Sequence, residues 1–510
     1  MELAKNHSKN WEAYTMISIA EIFDNSKQLL DSISGFVDKY IGSSLLRKCG
    51  IRKIVDDVTE NADYEYCDNP ISRLIGNPKQ SKVLEKIISA KQLLNDKLVV
   101  CFSSASAFLM FKTDSFFRDY KKDTFYRFDQ LPKANWERLQ LETARNVIVD
   151  IESQTSGGHI NALVFDDSLY ARTGGKGTEL CAKVFDHNDR KTRIGYRMMT
   201  GGWTNSEVFI PFFQTLLSTR DDTLMIGPDN RIDGRTLRGK RRNRAKEKGT
   251  IIVQYMVQEA QKAGIPFDYV LFDTWFSNPV QLIALKNIGA DTIAMIKKGS
   301  TKYEWTNPET GETKDLDVKE IYSRNKKRRG RSKYLLSIHV VVSDKNGNRI
   351  PAKLVYARNH SNRKDWVCFI CTDMDLDEEK VLRAYSMRWS IETYFKMAKS
   401  HLKLRTECHS TNYDAITSHM VIVAIRYMIL AVERFKNTDN RSLEELFYGI
   451  QREIMNEMMD CAIILVIDVL LDSIRQYFSA TESQINELLS LFIRKLPEGW
   501  RQRFKDPQVA

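Results

Sequence analysis

The sequence has 510 residues, of which 42% are hydrophobic and 28% charged, with 8 cysteines and a formal net charge of +11. This composition is typical of a soluble globular protein, and the length predicts about three domains. The few cysteines exclude a disulfide scaffold, the first residues lack the apolar core of a secretory signal, and the longest apolar runs are too short to span a bilayer. We therefore expect a cytoplasmic protein without membrane contact, whose positive excess suits a polyanionic partner.

The N-terminal region, residues 1–155, is predicted to be helical. Apolar residues recur at helical spacing in residues 26–48 and 81–96. Lysines and aromatic residues alternate in residues 110–140, a pattern that fits contacts with a phosphate backbone and fits amphipathic core helices equally well.

Residues 156–298 are predicted to form the first part of a mixed α/β core. Short β-like runs at 159–168, 191–202, 221–227 and 267–277 alternate with helical patterns, one before residue 221 and one at 250–264. Such alternation is typical of a sheet with helices packed on it.

Residues 299–376 carry charge and strand signals, and the Asn346-Gly347 pair between two such strands indicates a hairpin. We expect a β-rich insertion here. Residues 377–435 are predicted to be helical and to complete the core, and residues 436–510 form a helical C-terminal region.

Acidic residues follow two of the apolar strands. Asp166 and Asp167 end the first, and Asp273 ends the second. Each alone is an ordinary turn or helix-cap residue. Together, and joined by a carboxylate from a helix packed on the sheet, they could converge on two divalent cations that act on a phosphodiester.

One helix supplies a candidate for that third carboxylate. In "YSMRWSIETYFKMAK", residues 385–399, the side chains of Tyr385, Arg388, Glu392 and Lys399 fall on one helical face. Taken alone, this face is better explained as a solvated ridge with ion pairs between neighbouring turns.

The spacing Y-x2-R-x3-E-x6-K resembles the signature of the DDE-type transposases of bacterial insertion sequences, the IS-four family. The order of Asp166, Asp273, a β-rich segment and the Glu392 helix resembles that family too, over about residues 120–435. The resemblance implies a ribonuclease-H-like catalytic core, preceded by a DNA-binding region and interrupted by the β-rich insertion between Asp273 and Glu392.

The resemblance also implies roles for individual residues. Asp166, Asp273 and Glu392 become the catalytic triad that binds two Mg²⁺ ions, for which Mn²⁺ can substitute. Asp166 is preferred to Asp167 because the family leaves one residue between the acid and a hydroxyl residue, and that choice stays open.

The other residues of the signature are implied to hold DNA. Tyr385 and Arg388 correspond to residues that hold a phosphate, and Lys399 to one that contacts DNA near the cut. Trp366 is our candidate for an aromatic residue that supports a base turned out of the stack; a tryptophan packed in the core is an equally good interpretation.

Two basic runs are candidate contacts with the DNA backbone, although such runs are usually solvated loops. If they bind phosphates, affinity falls steeply with salt. The candidate residues are Arg238, Lys240, Arg241, Arg242 and Arg244 in the first run, and Lys326, Lys327, Arg328 and Arg329 in the second.

The sequence therefore predicts a DNA transposase that acts as a homodimer on double-stranded transposon ends and target DNA. In this family the chemistry is strand hydrolysis, hairpin formation and strand transfer. The alternatives are a ribonuclease-H-like nuclease or resolvase without strand transfer, and an inactive DNA-binding repressor derived from a transposase.

Overall fold

A computed structural model of the chain describes residues 31–60, 82–103, 106–112, 120–155, 157–186, 189–307, 309–328, 332–359, 362, 364–436 and 441–497. The contacts divide the chain into two compact units. The larger unit contains residues 1–56 and 87–450, and the smaller contains residues 57–86 and 451–510.

The described N-terminal segments of the larger unit are helical, as predicted for most of them. The helices are α1 (31–36), which continues into a π-helical turn at Val37–Ile41, α2 (Gly42–Lys48), α3 (Ala90–Val99), α4 (Ala107–Lys112), α5 (Lys122–Phe128) and α6 (Trp136–Gln154). The helix predicted over 81–96 is only half right. Strand β2 (Lys82–Ile88) pairs with β1 (Ile54–Glu60), and the helix begins at Ala90, where the Ser89 side chain caps it.

An eleven-stranded mixed sheet forms the centre of the larger unit. Its strands are β3 (Ala162–Ala171), β4 (Ala182–Asp186), β5 (Lys191–Thr204), β6 (Phe209–Leu217), β7 (Tyr269–Phe272), β8 (Asp291–Ile296), β9 (Tyr303–Thr306), β10 (Thr313–Leu316), β11 (Leu336–Ser343), β12 (Arg349–Arg358) and β13 (Trp366–Cys371). The fold is thus mixed α/β.

Five strands lie in the order β6, β5, β3, β7, β8. Strand β7 runs parallel to β3 and β8, whereas β5 is antiparallel to β3 and β6. This arrangement is consistent with the expected ribonuclease-H-like core. Two local predictions are wrong: residues 209–217 form β6 rather than a helix, and residues 221–227 make only a single bridge, at Met225. Every residue of β6 is buried, so its apolar run carried no alternation to distinguish strand from helix.

The strands of residues 299–376 extend the same sheet rather than standing apart from it. Strand β13 pairs antiparallel with β8, and β12, β11, β9 and β10 follow outward. The predicted hairpin is confirmed: β11 and β12 pair from Leu336 opposite Tyr356 to Ser343 opposite Arg349, and Gly347 in the turn has a φ of +83° that favours glycine.

Seven further helices of the larger unit contact this sheet. They are α7 (Leu237–Ala245), α8 (Gly249–Ala263), α9 (Pro279–Asn287), α10 (Val318–Arg324), α11 (Glu378–Ser386), α12 (Ser390–Ser400) and α13 (Tyr413–Lys436). Helix α14 (Leu443–Phe478) begins in the larger unit and ends in the smaller one, which also contains α15 (Glu482–Lys495). Of the described helices, α13 has the length and apolar composition of a membrane span, but its most apolar window is 100% buried inside the protein. It contacts α6 and β6 as a core helix.

Candidate active site

Two of the predicted acids lie side by side on neighbouring strands. The parallel register of β3 and β7 places Phe165 opposite Phe272, so Asp166 and Asp273 are the next residues at the same level. Adjacent strands are about 4.8 Å apart, which brings these two side chains together. Asp166 lies within β3 rather than at its end, because β5 goes on pairing with β3 as far as Ala171 after β7 has stopped.

The pKa of Asp166 reflects this closeness. Burial raises its pKa to about 7, and the neighbouring Asp273 raises it as well. The backbone N–H of Asp167, 2.8 Å from Asp166 Oδ1, and the guanidinium of Arg388 oppose the shift only in part. The positive charge near Asp166 therefore offsets its burial and its acidic neighbour only in part, which is a property expected of an oxygen ligand for a hard cation.

The helical segment with the third acid faces the same strands. Arg388 Nη1 lies 3.4 Å from Asp166 Oδ2, and Arg388 Nη2 lies 2.5 Å from Glu392 Oε1. Seven residues beyond Glu392, the Lys399 ammonium donates to the Ser168 hydroxyl on β3. The polar face of the segment thus points at the strand that carries Asp166, and the solvated-ridge interpretation is wrong.

The three acids do not form a ready ligand cluster. Among the residues that the structure describes, no group of three or more His, Cys, Asp or Glu side chains is placed to hold a metal ion. The guanidinium of Arg388 lies between two of the acids and contacts both Glu392 and Asp166. The carboxylate oxygens are donors of the kind that Mg²⁺ prefers, and Asp166 and Asp273 lie at the same level of neighbouring strands.

Lys399 is a partly buried lysine with an unusual environment. Burial lowers its pKa to about 8, and Arg405 lowers it further, while Asp186 and Asp166 oppose the shift. A cation held this close to the acids without an ion pair to them is well suited to an anionic ligand.

Tyr385 departs from the predicted single helix. The segment consists of α11, a 3₁₀ turn at Met387–Trp389 and α12, so Tyr385 and Glu392 belong to different helices. Tyr385 is buried, with its ring centroid 4.7 Å from that of Phe369, and burial raises its pKa to about 12. Its predicted phosphate contact stays a prediction.

Asp167 has a different partner from Asp166. Arg197 on β5 binds both of its carboxylate oxygens, at 2.7 Å and 2.8 Å. An acid already held by a guanidinium fork is less free to bind a cation. The geometry thus supports the choice of Asp166 as the acid that works with Asp273.

All three acids line one cleft of about 600 Å³. The cleft also holds residues that the sequence reasoning missed: Trp275, Lys297 and Arg405. The first two could have been found, because Trp275 comes two residues after Asp273 and Lys297 directly follows β8, the next parallel strand. Ligands of such sheets gather at the carboxyl ends of parallel strands.

The first basic run is not the solvated loop expected. It forms α7, in which Arg241 and Arg242 are 2% and 3% exposed. The Asp414 carboxylate forms ion pairs with Arg238, Arg241 and Arg242. The two carboxylate oxygens of Glu179 accept hydrogen bonds from Nε and Nη2 of Arg242.

Arg244 pairs with Glu137 at 2.5 Å and donates to the Tyr255 hydroxyl. Burial and pairing therefore contradict the predicted DNA contacts of Arg241 and Arg242, whereas those of Arg238 and Arg244, which are half-buried, stay predictions. Lys240 is exposed and stays a predicted DNA contact.

The second basic run lies beside an aromatic cluster. Lys326 and Arg328 are exposed, Lys327 is half-buried, and Arg329 lies outside the described residues. Lys327 sits 4.7 Å from the centre of the Tyr322 ring, which stacks on Trp366 with centroids 4.8 Å apart. Trp366 also meets Tyr356 edge-on, so its packing is that of a half-buried strand residue. Its predicted role with a flipped base stays a prediction.

Comparisons with known proteins agree with this site. Residues 242–429 match the model of the transposase DDE domain, and residues 118–318 match that of the DDE superfamily endonuclease. No curated protein matches the chain. The matched segments contain Asp166, Asp273 and Glu392, the acids that the fold brings to one cleft. The part of the chain that carries the three acids is thus similar to the DDE domains of transposases and endonucleases.

Proposed function

We propose that this protein is an active DNA transposase of an insertion sequence. It binds the terminal inverted repeats of the element, cuts it out and joins it to target DNA, with a DNA hairpin as intermediate. The observation that carries the proposal is the cleft in which Asp166, Asp273 and Glu392 meet the cations Arg388 and Lys399. Acids for a metal and cations for a phosphate are thus placed together.

The acids have the donor chemistry for divalent cations. Asp166, Asp273 and Glu392 would hold two Mg²⁺ ions, or Mn²⁺ in their place, and bound ions of this kind activate a water or hydroxyl and stabilise charge on a phosphodiester. The finer assignment to the IS-four family, and to a ribonuclease-H-like core, is supported by the spacing from Tyr385 to Lys399 and by the strand order.

The protein's own cations would position the DNA. Arg388 can exchange its contacts with Glu392 and Asp166 for a phosphate, because a guanidinium fork binds phosphate and carboxylate alike. The Lys399 ammonium donates a hydrogen bond to the Ser168 hydroxyl, and Arg405 is a further cation in the same cleft. These groups fix the strand while its phosphate lies at the acids.

The whole assembly is proposed to be a homodimer that joins two transposon ends on double-stranded DNA in the cytoplasm. End recognition is assigned to the N-terminal helical region, and backbone contacts to Lys240, Lys326, Lys327 and Arg328, together with Arg329. These assignments rest on family resemblance and on the exposure of Lys240, Lys326 and Arg328.

The match to an endonuclease family keeps one alternative in view: a nuclease that cuts without strand transfer. An assay of the purified protein with Mg²⁺ and an end-labelled duplex carrying the element's inverted repeat distinguishes a transposase from this nuclease and from a DNA-binding repressor. Hairpin and strand-transfer products support a transposase. Nicked DNA alone supports the nuclease, and binding without cleavage supports a repressor.

A further inference from the structure

Strand β5 extends beyond the strand with which it pairs in the core. The last pair between β3 and β5 is Ala171 opposite Gly195. A Cβ at Gly195 would lie 2.2 Å from the Tyr170 carbonyl oxygen, so glycine permits the close approach at which β3 and β5 separate. Beyond this point, residues 191–194 of β5 pair antiparallel with residues 183–186 of β4. These two short stretches form the β4–β5 ribbon.

The ribbon is fixed at its base and leaves the sheet at its far end. The Arg172 N–H donates to the Ile194 carbonyl, and the Lys183 N–H donates to the Leu224 carbonyl, both at 2.8 Å. At the far end, no third strand joins the two in the described part of the chain. The ribbon is therefore a two-stranded projection on a firmly bonded base.

The ribbon stands beside the cleft that holds the three acids. Val184 and Asp186, both on β4, line that cleft. Asp186 also lies near Lys399, because its charge opposes the lowering of the Lys399 pKa that burial and Arg405 cause. DNA whose phosphate lies at the acids would therefore pass next to the ribbon.

The ribbon and its turn carry exposed positive charge. Arg193 is paired with Asp189 at 2.7 Å, and this hydrogen bond is the main reason that the pKa of Asp189 is lowered. The charges of Lys191 and Arg405 lower the same pKa further, so the ribbon and the cleft share one positive surface. Three exposed cations of the ribbon and its turn form no ion pair with an acid of the described chain: Lys183, Arg190 and Lys191. Such a surface suits the phosphate backbone of DNA.

We propose that the β4–β5 ribbon lies in the major groove of the duplex DNA that adjoins the scissile phosphate. That groove is about 12 Å wide and admits a two-stranded β-ribbon. Arg190 and Lys191 contact phosphates at the edge of the groove, and the exposed Thr192 faces the base edges. The inference rests on the proposed function and adds to it a DNA-binding element outside the N-terminal region and the two basic runs.

The first test measures the ionic contacts on a labelled duplex carrying the inverted repeat, with Ca²⁺ in place of Mg²⁺ so that binding is measured apart from cleavage. A neutral methylphosphonate replaces each phosphate in turn within about ten base pairs of the cut, which the wild-type protein with Mg²⁺ locates. The variant combines Arg190→Gln with Lys191→Gln. Lys345→Gln is the matched control, because Lys345 is an exposed lysine in the turn between β11 and β12.

For the wild type, methylphosphonates at a group of neighbouring positions should weaken binding. The double variant should lose the sensitivity at those positions, and its slope of log affinity against log salt should be lower by about two, one for each lost phosphate contact. Lys345→Gln should behave as wild type. An unchanged methylphosphonate profile in the double variant would overturn the ribbon contact even if binding had weakened, since damage to the fold lowers affinity at all positions alike.

The second test locates the groove. The variant Thr192→Cys carries an iron–EDTA group that releases hydroxyl radicals at the ribbon, and the wild type treated in the same way gives the background from its own cysteines. Cuts beside the scissile phosphate that are shifted to the 5′ side on the two strands support the major groove. Cuts shifted to the 3′ side, which are typical of the minor groove, or no cuts above background would overturn the proposal.

These outcomes are separate from a failure of the proposed function. A wild-type protein that neither binds nor cuts the repeat would overturn the proposed function. A wild-type protein that binds and cuts it, with a double variant that has the wild-type profile and slope, would overturn the ribbon alone.

Discussion

Arg388 contacts two of the three acids, and we expect this contact to oppose metal binding by the protein without DNA. Its guanidinium binds the Glu392 carboxylate and places a positive charge beside Asp166, at the position expected for a metal ion. The family spacing assigned this arginine to DNA. The structure adds that, without DNA, its ligands are the carboxylates themselves.

Replacing Arg388 by glutamine should therefore affect metal and DNA in opposite directions. Mn²⁺ binding by the protein without DNA should become roughly tenfold tighter, because one nearby positive charge is removed and Glu392 is released. Binding of the terminal repeat should weaken, since a phosphate contact is lost. Isothermal titration with Mn²⁺, and then with DNA, measures both.

Arg405→Gln is the matched control, because it also removes one positive charge near the acids. Arg405 donates a hydrogen bond to the Leu169 carbonyl and forms no ion pair with the three acids among the described residues. Its Mn²⁺ affinity should stay close to that of the wild type. Equal metal affinity in the wild type and Arg388→Gln would contradict the account of this contact.

At the scale of elements, α7 shows how a basic run can be structural. Its arginines bind Asp414, the second residue of α13, and Glu179, which lies in the loop before β4. Burial alone would raise the pKa of Asp414, but the hydrogen bond from Arg242 and the charges of Arg241 and Arg242 outweigh it and lower that pKa.

The variant Asp414→Asn should lower the free energy of unfolding by about 3–5 kcal/mol, because it leaves buried guanidiniums without their shared carboxylate. The control is Asp233→Asn, which breaks the exposed pair with Arg235 at the other end of the same segment and should leave stability essentially unchanged. Urea unfolding measures both. A value for Asp414→Asn as small as that of the control would show that the network contributes little.

These elements also show what the sequence could and could not predict. The sequence led to Asp166, Asp273 and Glu392, which line one cleft, because acids after apolar runs and the family spacing around Glu392 are local patterns. The burial of Arg241 was not, since its acid partner Asp414 is 173 residues away and only the fold brings them together. Strand β6 was mistaken for a helix because a fully buried strand and a buried helix share the same apolar run.

At the scale of the whole molecule, α13 forms a buried polar network with other segments of the larger unit. Arg426, on α13, binds Glu407 at 2.9 Å and also the Leu402 carbonyl. His419 lies two turns earlier on the same face of α13, with Nδ1 3.8 Å from Glu407 Oε1. Burial lowers the pKa of His419 from 6.5 to about 4, although Glu407 opposes the shift.

The contribution of His419 to the stability of the protein should therefore fall in acid. Because His419 has a lower pKa in the folded chain, the unfolded chain takes up its proton first as the pH drops. This contribution is full above about pH 6.5 and decreases by up to about 3 kcal/mol on the way to pH 4. The variant His419→Gln should lack this component, and substitution of the exposed His409 by glutamine should retain it. Unfolding free energies between pH 4 and 7 that run parallel in the wild type and His419→Gln would contradict the assignment.

The central claim is that three acids on one cleft cut and join DNA. Its most direct test is cleavage of the inverted-repeat duplex with Mg²⁺ by the wild type and by Glu392→Gln, with DNA binding measured in parallel. The account predicts that Glu392→Gln binds the repeat as the wild type does but yields no nicked, hairpin or joined product. Cleavage by Glu392→Gln at the wild-type rate would contradict it.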